Sequence, residues 1–490
     1  MPATEHHDVL IIGAGISGLG AAYHLKDQRP GASFAIFDAL EGFGGTWWTH
    51  RYPGVRSDSD LYTFGYRFKP WQGNPIATAA EILKYLGEVI DENDLARHIR
   101  YRHRVTAASW SSEESLWTVD ITNLATGVSL RVTTGFLWMC QGYYRHGQGY
   151  RPEWPGFEDF RGEVLHPQEW PPGGADLAGK RVVVIGSGAT AATLIPAIAD
   201  DAAHVTMLQR SPTFFLSRPN SNELADTLRG LDVPPEWTHE IVRRQVIQMV
   251  EMMMSASQSD PEIVRAFMID AVRQELPEGF DVERHFAPSY RPWQQRVAIL
   301  PDGDLFKAIS KGQVDVVTDT IKRFTAEGIE VGSGDLLEAD VVITATGFDL
   351  CVLGDLDFRV DGELVVPAET VTYRGIMFTG LPNLAYVFGY FRASWTLRAD
   401  IISDFVCRLL ATMEAQGARK VVPELRPQDA DMALGSWVDP ENFNPGYLVR
   451  TQHLMPRRGV DEPWTWGADY SVEKVELAKA DLDDGSLRFS

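Results

Sequence analysis

The chain has 490 residues, 44% hydrophobic and 23% charged, so it is long enough for two or three domains with buried cores and is composed like a globular protein. Its formal net charge of −22 argues against nucleic acid as a partner and against docking by charge on anionic membranes, because both need a cationic surface. The three cysteines, Cys140, Cys351 and Cys407, form no C-x-x-C pair, which excludes a thiol redox site and favours free thiols in a reducing cytoplasm.

The N-terminal residues 1–15 contain no cationic region ahead of their apolar run, so we predict no signal peptide. The other apolar stretches are short and bounded by glycines or charges, far below the length of a membrane span. We therefore predict a cytoplasmic protein without a transmembrane segment.

A glycine-rich turn follows the first apolar segment, residues 8–12, which is typical of a parallel strand covered on both faces. In this G-x-G-x-x-G pattern Gly13 permits a tight turn, Gly15 lets a pyrophosphate approach the backbone, and Gly18 allows close packing of helix on strand. A helix predicted from Ser17 to residue 25 directs its positive N-terminus at the phosphates. The pattern indicates a first dinucleotide site.

The next predicted strand, Phe34–Phe37, ends at Asp38, ~20 residues after the glycine loop. A carboxylate at this point accepts hydrogen bonds from a ribose diol, which favours FAD in the first site. The alternative is that Asp38 is a solvated residue at a strand end.

A second unit repeats this arrangement. The strand Arg181–Ile185 leads into the loop residues Gly186, Ser187, Gly188, Ala189 and Thr190, with Ala191 in place of the third glycine. The strand at residues 204–208 ends at Gln209-Arg210-Ser211, without an acid, and the Arg210 guanidinium and Ser211 hydroxyl would bind a 2′-phosphate. This favours NADPH in the second site, and a plain surface charge is the alternative for Arg210.

The segment between the two units carries the pattern F-x-G-x-x-x-H-x-x-x-W-P at Phe160, Gly162, His166, Trp170 and Pro171. A second pattern, G-G-x-W-x-x-x-x-Y-P-G-x-x-x-D, is complete at Gly44, Gly45, Trp47, Tyr52, Pro53, Gly54 and Asp58. With these motifs the chain resembles the type I Baeyer–Villiger monooxygenases, a branch of the class B flavoprotein monooxygenases, from about residue 8 to 489. Within that family it is most similar to the bacterial ethionamide-activating subgroup.

The resemblance implies roles for further residues around the two nucleotides. Those that would line the flavin are Gly45, Thr46, Trp47 and Tyr62. Val105 would meet the adenine through its backbone, and Arg56, Ser57 and Asp58 would lie where nicotinamide and flavin meet.

The arginine that this family places over the reactive face of the flavin matches Arg296. Arg291 is the alternative, and a plain surface arginine is a third interpretation. Asp58 would orient Arg296 and let it swing as the nicotinamide comes and goes. The family often has Lys-Arg here, and the lysine assists in holding the 2′-phosphate; this chain has Gln295-Arg296, which leaves the strength of its NADPH preference open.

Several other residues allow two interpretations. The spacing of His166 and Trp170 suits one side of a helical turn, with either a structural and hinge role between domains or direct contact with cofactor. The methionine-rich segment at Met249, Met252, Met253 and Met254 fits a helix core or a pliable substrate tunnel. Trp293 and Trp395 are candidate pocket walls, and no metal site is predicted.

The predicted fold is α/β, with two Rossmann-like dinucleotide-binding domains and a helical insertion. Residues 1–143 and 349–490 form the FAD domain, 144–211 and 297–348 the NADP domain, and 212–296 the insertion. Amphipathic periods at 241–254 and 261–276 predict helices in the insertion, and the prolines near 219 and 234 predict that these are short. The A-T-G turn at 345–347 marks the return to the FAD domain, and residues 385–388 resemble its late strand.

From these features we predict an NADPH- and O₂-dependent enzyme that inserts oxygen beside a ketone carbonyl through a flavin C4a-peroxide, giving esters or lactones, and that also makes sulfoxides. The expected partners are a small ketone or thioether and dioxygen. The main alternative is a flavin-containing monooxygenase acting on S or N atoms, and a nucleotide sensor or an NADPH oxidase is a further one. The natural ketone and the oligomeric state stay open.

Overall fold

The computed structural model describes residues 5–467 and 469–490. Its strands are β1 (Glu5–Ile12), β2 (Phe34–Phe37), β3 (Ile99–Arg100), β4 (His103–Ser111), β5 (Leu116–Asn123), β6 (Ser129–Met139), β7 (Tyr144–Gly149), β8 (Glu163–Leu165), β9 (Arg181–Ile185), β10 (His204–Gln209), β11 (Phe215–Arg218), β12 (Ala298–Pro301), β13 (Val314–Thr318), β14 (Ile321–Thr325), β15 (Gly328–Val331), β16 (Leu336–Glu338), β17 (Val341–Thr344), β18 (Phe348–Leu350), β19 (Asp357–Val360), β20 (Glu363–Leu364), β21 (Thr372–Tyr373), β22 (Met377–Phe378), β23 (Leu384–Tyr386), β24 (Val421–Pro423) and β25 (Leu487–Phe489).

The α-helices are α1 (Ile16–Gln28), α2 (Thr46–Thr49), α3 (Leu61–Phe64), α4 (Ala79–Glu92), α5 (Ala189–Ile198), α6 (Glu223–Gly230), α7 (Pro235–Ser259), α8 (Pro261–Glu275), α9 (Val282–Phe286), α10 (Asp304–Ser310), α11 (Trp395–Gln416), α12 (Gly446–Thr451) and α13 (Tyr470–Lys479). No helix in this described part of the chain combines the length and the apolar character that crossing a bilayer requires.

The larger sheet draws its strands from both ends of the chain. Its order is β20-β19-β4-β5-β6-β1-β2-β3, and β23 also pairs with β6. The first half of β6 pairs with β5 and its last three residues pair with β23, while β1 runs parallel along its other edge. The apolar run of β1 is therefore central and buried, as the sequence predicted.

The second sheet is wholly parallel, in the order β13-β10-β9-β17-β8. Two connections run between the sheets: β7 follows β6, and β18 follows β17. These connections pair with each other as an antiparallel ribbon. The two dinucleotide-binding units of the predicted α/β fold are thus present, each with a glycine turn followed by a helix.

The insertion differs from its prediction in two ways. It begins with a strand, β11, which pairs in parallel with β12. It also contains a 25-residue helix, α7, so the expectation of short helices is wrong. The prolines mark helix starts: Pro235 and Pro261 are the first residues of α7 and α8, where a helix needs no N–H partner and the fixed φ of proline is suitable.

The insertion packs against both sheets. The buried Arg243 of α7 donates hydrogen bonds to the carbonyls of Tyr62, Thr63 and Gly65, at 3.1, 3.2 and 3.0 Å. Apolar residues of α8 and α9, among them Ile269 and Phe286, belong to the core of the second sheet. The insertion therefore braces one half of the molecule against the other.

A buried ion pair joins two helices of the C-terminal part. The side chain of Arg398 in α11 is 0% exposed and that of Glu473 in α13 is 4% exposed, with Nη2 and Oε1 2.7 Å apart. Arg398 also donates to the carbonyl of Phe388 at 2.6 Å. Removing one member of such a pair leaves an uncompensated buried charge.

We expect Glu473→Ala to lower the free energy of unfolding by about 3–5 kcal/mol, because the Arg398 guanidinium then lies buried without its carboxylate. Thermal and urea unfolding followed by circular dichroism measure this. The matched control is Glu424→Ala, whose partner Arg488 is 70% exposed, and which should leave the unfolding midpoint unchanged. Equal midpoints for the two variants would contradict the prediction.

Candidate active site

A cleft of about 1100 Å³ opens at the carboxyl ends of the parallel strands of both sheets, the edge at which such sheets bind ligands. Its lining contains most of the residues predicted to bind cofactor. These are Gly13, Gly15, Ser17, Asp38, Gly45, Thr46, Trp47, Arg56, Ser57, Asp58, Val105, Gly186, Ser187, Gly188, Ala189, Thr190, Gln209, Arg210 and Arg296. Both predicted nucleotide sites therefore face a single cavity.

The first glycine loop is closely packed at Gly13 and Gly18, where a side chain would not fit. Gly13 has φ +105°, and a Cβ on it would lie 2.6 Å from the Cys140 carbonyl oxygen. A Cβ on Gly18 would lie 1.8 Å from the Gly13 oxygen, so Gly18 packs helix on strand and does not line the cleft. Gly15 approaches the backbone of Gly45. This cradle fits the close approach of a pyrophosphate.

Asp38 is only 7% exposed, so it is not a solvated residue at a strand end. Its carboxylate accepts hydrogen bonds from the backbone N–H groups of Ala14 (2.6 Å) and Leu40 (2.7 Å). Burial raises the pKa of Asp38, and these two hydrogen bonds offset part of that rise. The carboxylate ties the first loop to the end of β2, at the lining of the cleft.

The second glycine loop has the same form. Gly186 has φ +128°, and a Cβ on it would lie 2.3 Å from the Ala345 oxygen, in the A-T-G turn. Gly188 precedes the first residue of α5, and a Cβ on it would meet open space. The Ser187 hydroxyl is 2.9 Å from that of Thr213. The N-terminus of α5 thus faces the cleft, where it can stabilise an anion.

Gln209 and Arg210 end β10 in different environments. Gln209 is buried, and its amide donates to the His285 carbonyl (2.7 Å) and to the Thr318 hydroxyl (2.9 Å). Arg210 is exposed within the cleft, and among the described residues it has no carboxylate within 4 Å. Its cation is available to an anionic ligand.

The second sequence motif docks the first unit onto the second. The Thr193 hydroxyl of α5 donates to the buried Tyr52 hydroxyl at 3.3 Å. Gly54 has φ +77°, and a Cβ there would lie 2.3 Å from the Thr193 carbonyl oxygen. Arg56 forms an ion pair with Asp304 of α10, with Nη1 and Oδ2 2.6 Å apart. The loop between Trp47 and Asp58 is therefore held by α5 and α10 of the second unit.

Asp58 and Arg296 meet in the cleft. Nη2 and Nε of Arg296 lie 2.6 and 3.4 Å from the two carboxylate oxygens of Asp58. The side chain of Arg296 is 42% exposed and that of Asp58 is 11% exposed, and both residues line the cleft. The neighbouring carboxylate raises the pKa of Arg296 above its ordinary value, against the opposing effect of burial, so the guanidinium stays charged.

The alternative arginine lies elsewhere. Arg291 does not line the cleft, and it donates to the Glu441 carbonyl and to the Asn442 side chain, each at 3.4 Å. Gln295, at the position of the family's lysine, donates to the Asn444 side chain at 3.4 Å. Of these two arginines, Arg296 is the one placed to act on a bound molecule.

Several buried polar atoms in the cleft lining lack hydrogen-bond partners among the described residues. Both amide atoms of Gln141 are unpaired, and so is Nδ1 of His50. Burial, with smaller effects of His146 and His166, lowers the pKa of His50 to about 4, so its ring is neutral at pH 7. Unpaired buried polar groups are costly, and a bound cofactor with polar atoms would satisfy them.

Aromatic residues that the sequence did not single out form much of the wall: Tyr143, Tyr144, Tyr150, Tyr290, Phe391 and Tyr447. Trp395 also lines the cleft, as predicted, and stacks on Tyr143 at 5.2 Å between ring centroids. Tyr447 comes from α12, near the end of the chain. No local pattern could have assigned these residues, since they lie on separate loops that only the fold brings together.

The predictions for Tyr62 and Trp293 need correction, and of the two interpretations of the methionine-rich segment the substrate tunnel is not supported. Tyr62 does not line the cleft: it is fully buried, and its hydroxyl is bonded to Arg229 and to the Gly73 carbonyl. Trp293 packs beside a small core that includes Phe214. None of the four methionines lines the cleft; Met252 is 59% exposed and the side chain of Met253 joins that same small core.

The F-x-G-x-x-x-H-x-x-x-W segment also lies outside the cleft lining. Phe160 packs near Phe324, and a Cβ on Gly162 would lie 2.5 Å from the Asp340 oxygen. His166 is extended rather than helical and fits against Gly149 of β7, where a Cβ would lie 1.8 Å from its ring. Trp170 is buried in the core of the second sheet.

These contacts place the segment between β7, one of the two connections between the sheets, and the second sheet. None of its residues is among those that line the cleft, and its contacts are those of a structural element; the hinge role stays a prediction. Within residues 5–467 and 469–490 there is also no cluster of side chains suited to a metal ion.

Comparison with known proteins agrees with this geometry. Residues 73–356 match the flavin-binding monooxygenase-like family, and residues 11–72 match the NAD(P)-binding Rossmann-like domain family. The FAD-containing monooxygenase EthA of Mycobacterium tuberculosis is 46% identical over 489 residues, covering 99% of this chain and 98% of that protein. The probable FAD-binding monooxygenase AlmA of Acinetobacter baylyi is 41% identical, covering 99% and 96%.

Solved structures share the fold. An oxidised steroid monooxygenase bound to NADP matches with a TM-score of 0.78 and 24% identity over 99% of each chain. Cyclohexanone monooxygenase with bound ε-caprolactone matches with a TM-score of 0.75 and 22% identity over 99% of this chain and 100% of that one. The family predicted from the motifs is confirmed: with two nucleotide loops on one cleft and relatives matching almost its whole length, the chain belongs to the flavin-binding monooxygenase-like family.

Proposed function

We propose that the protein is an FAD- and NADPH-dependent Baeyer–Villiger monooxygenase that inserts oxygen beside a ketone carbonyl and also oxidises thioethers. The observation that carries the proposal is the Arg296–Asp58 ion pair, placed in the cleft that both glycine loops share. The relatives named as FAD-containing monooxygenases support the cofactor, and the fold shared with cyclohexanone monooxygenase supports the reaction class.

In this proposal residues 1–143 and 349–490 bind FAD, and residues 144–211 and 297–348 bind NADPH. The strands support this division, because the larger sheet is built from residues within the first pair of segments and the parallel sheet from residues within the second. The residues that would hold FAD include the loop at Gly13 and Gly15, and Asp38 at the ribose. Arg210 and the loop at Gly186 and Gly188 would hold NADPH.

The cleft fits a dinucleotide at this point. The glycines of the first loop admit a close approach of the ligand to the backbone. The side-chain amide of Gln141, which also lines the cleft, has no hydrogen-bond partner among the described residues. Bound FAD, reduced by NADPH, would supply the activation of dioxygen that the protein's own side chains cannot provide. The protein's contribution is then to position the reactants, to hold charge and to keep out water.

Arg296 supplies a fixed positive charge in the cleft. A carbonyl oxygen becomes negative when its carbon is attacked, and a preorganised guanidinium stabilises that charge. Asp58 keeps the guanidinium oriented and, through Arg56 and Tyr52, ties its position to the NADP-type unit. The aromatic wall excludes water, which strengthens these electrostatic interactions.

The cytoplasm is the proposed location. Cys140, Cys351 and Cys407 are all free and buried, as suits a reducing compartment. The proposed substrates are small ketones and thioethers together with dioxygen.

The deciding experiment incubates FAD-loaded protein with NADPH, air and one compound that carries both a ketone and a thioether. Ester or lactone among the products, with or without sulfoxide, supports the proposal. Sulfoxide as the sole product would move the protein to the heteroatom-oxidising branch. Consumption of NADPH without organic product would identify an oxidase instead.

Arg296→Ala should lower the rate of ester formation by about 100-fold or more, because it removes the charge that faces the substrate oxygen. Flavin content should be unchanged, since Arg296 is not part of the first glycine loop. Initial rates of ester formation by gas chromatography measure the effect, and Arg291→Ala, outside the cleft, is the matched control. An unchanged ester yield in Arg296→Ala would refute the role.

Asp58→Asn should slow both flavin reduction by NADPH and ester formation by about 10-fold or more, the equivalent of losing a hydrogen bond between charged groups. Arg296 then keeps its charge but loses its orientation. Stopped-flow absorbance follows the reduction, and product analysis follows the oxygenation. Reduction at the wild-type rate would count against the coupling of Asp58 to both steps.

Arg210→Gln should lower the ratio of kcat/KM for NADPH to that for NADH by about 10-fold or more, because the guanidinium that would bind the 2′-phosphate is lost. The value for NADH should stay the same, since NADH has no such phosphate. Steady-state kinetics with both coenzymes measure the ratio. A parallel loss with both coenzymes would show that Arg210 acts on a shared part of the nucleotide.

A further inference from the structure

Helix α12 brings a second arginine into the cleft. Arg450 lines the cleft, and its guanidinium carbon lies 3.5 Å from the centroid of the Tyr150 ring. Tyr150 lines the cleft too, and its carbonyl accepts a hydrogen bond from the Thr346 hydroxyl (2.5 Å), in the A-T-G turn beside the second glycine loop. The stacked ring holds the guanidinium on the NADP side of the cleft.

Arg450 and Arg210 both lack a counter-ion. Arg296 and Arg56, the other cleft arginines discussed above, each have a carboxylate within 2.6 Å. Neither Arg210 nor Arg450 has one within 4 Å among the residues that the structure describes. Both guanidinium groups line the same cleft. Burial lowers the pKa of Arg450, Tyr150 and Asp349 raise it, and Arg210 lowers it by a smaller effect. A dianionic group bound between Arg210 and Arg450 would supply the counter-charge that each lacks.

The position of Arg450 depends on the segment that carries Arg296. The Asn444 backbone N–H donates to the Gln294 carbonyl at 2.9 Å, and the Gln294 amide donates to the Glu441 carbonyl at 3.2 Å. Gln295 adds its contact to the Asn444 side chain at 3.4 Å. Gln295 thus has no positive charge to place in the cleft. Its hydrogen bond helps to hold the segment that leads into α12, the helix that carries Arg450.

We propose that Arg450 is a second binding residue for the 2′-phosphate of NADPH and acts together with Arg210. Two guanidinium groups match the charge and the oxygen donors of a phosphate dianion better than one. The preference for NADPH over NADH then depends on residues from two distant parts of the sequence. This inference rests on the proposed function, in which the second glycine loop binds NADPH.

The test compares two probes that differ only in the 2′-phosphate, 2′,5′-ADP and 5′-AMP, by isothermal titration calorimetry on the oxidised, FAD-loaded protein. Arg450→Gln should weaken the binding of 2′,5′-ADP by about 10-fold or more, while the affinity for 5′-AMP stays as in the wild type. Arg450→Lys, which keeps the charge, should retain part of the difference. The control Arg457→Gln alters an exposed arginine outside the cleft lining and should change neither affinity.

The flavin spectrum and the flavin-to-protein ratio establish that each variant is folded. Equal weakening of both probes in Arg450→Gln, or no weakening of either, would overturn the proposal. The proposed NADPH site is tested separately: if the wild type binds both probes equally, or Arg210→Gln keeps the full difference, that site is wrong. Loss of the difference in Arg210→Gln but not in Arg450→Gln would overturn the role of Arg450 alone.

Discussion

The ion pair between Arg296 and Asp58 joins the end of the insertion to a loop of the first nucleotide unit, in the cleft that both glycine loops line. Asp58 is held because the preceding loop is docked on the other unit by the Tyr52–Thr193 hydrogen bond and the Arg56–Asp304 ion pair. A displacement of one unit against the other would therefore move the guanidinium that faces the cleft. This constraint links the position of the Arg296 guanidinium in the cleft to the way the two units are docked.

Residues from the C-terminal part of the chain complete the wall of the cleft. Helices α11 and α12 contribute Trp395, Tyr447 and Arg450 to the wall. Residues 441–444 form hydrogen bonds with the segment just before Arg296. The resulting wall combines apolar rings with fixed cations, so charges inside interact in a medium of lower effective dielectric than water. The segment with His166 and Trp170 lies outside this wall: His166 packs against Gly149 of β7, and Trp170 lies in the core of the second sheet.

Where local chemistry alone decides the conformation, prediction from the sequence was reliable. The strands Phe34–Phe37 and Arg181–Ile185 have the predicted bounds, and both glycine loops turn where close backbone contacts admit no Cβ. The strand β11 was not predicted, because its pairing with β12 is a contact between segments far apart in sequence. A helix at 241–254 was predicted, but not the full length of α7. From the family resemblance, Tyr62 was expected to line the flavin. Its side chain instead packs near α7, and its hydroxyl accepts a hydrogen bond from Arg229.

By itself the sequence determined the two-nucleotide architecture and the interpretation of Arg210, because glycine spacing and the residues at strand ends act locally. Through its motifs the sequence also indicated the family and, by resemblance to that family, the roles expected of Arg296 and Asp58. It did not reveal which arginine of residues 291–296 faces the cleft, nor that α12 supplies Tyr447 and Arg450. Those features depend on how distant segments pack and on which way each side chain then points. Only the tertiary structure decides them, since burial and contact across the cleft are properties of the folded chain and not of any short stretch of it.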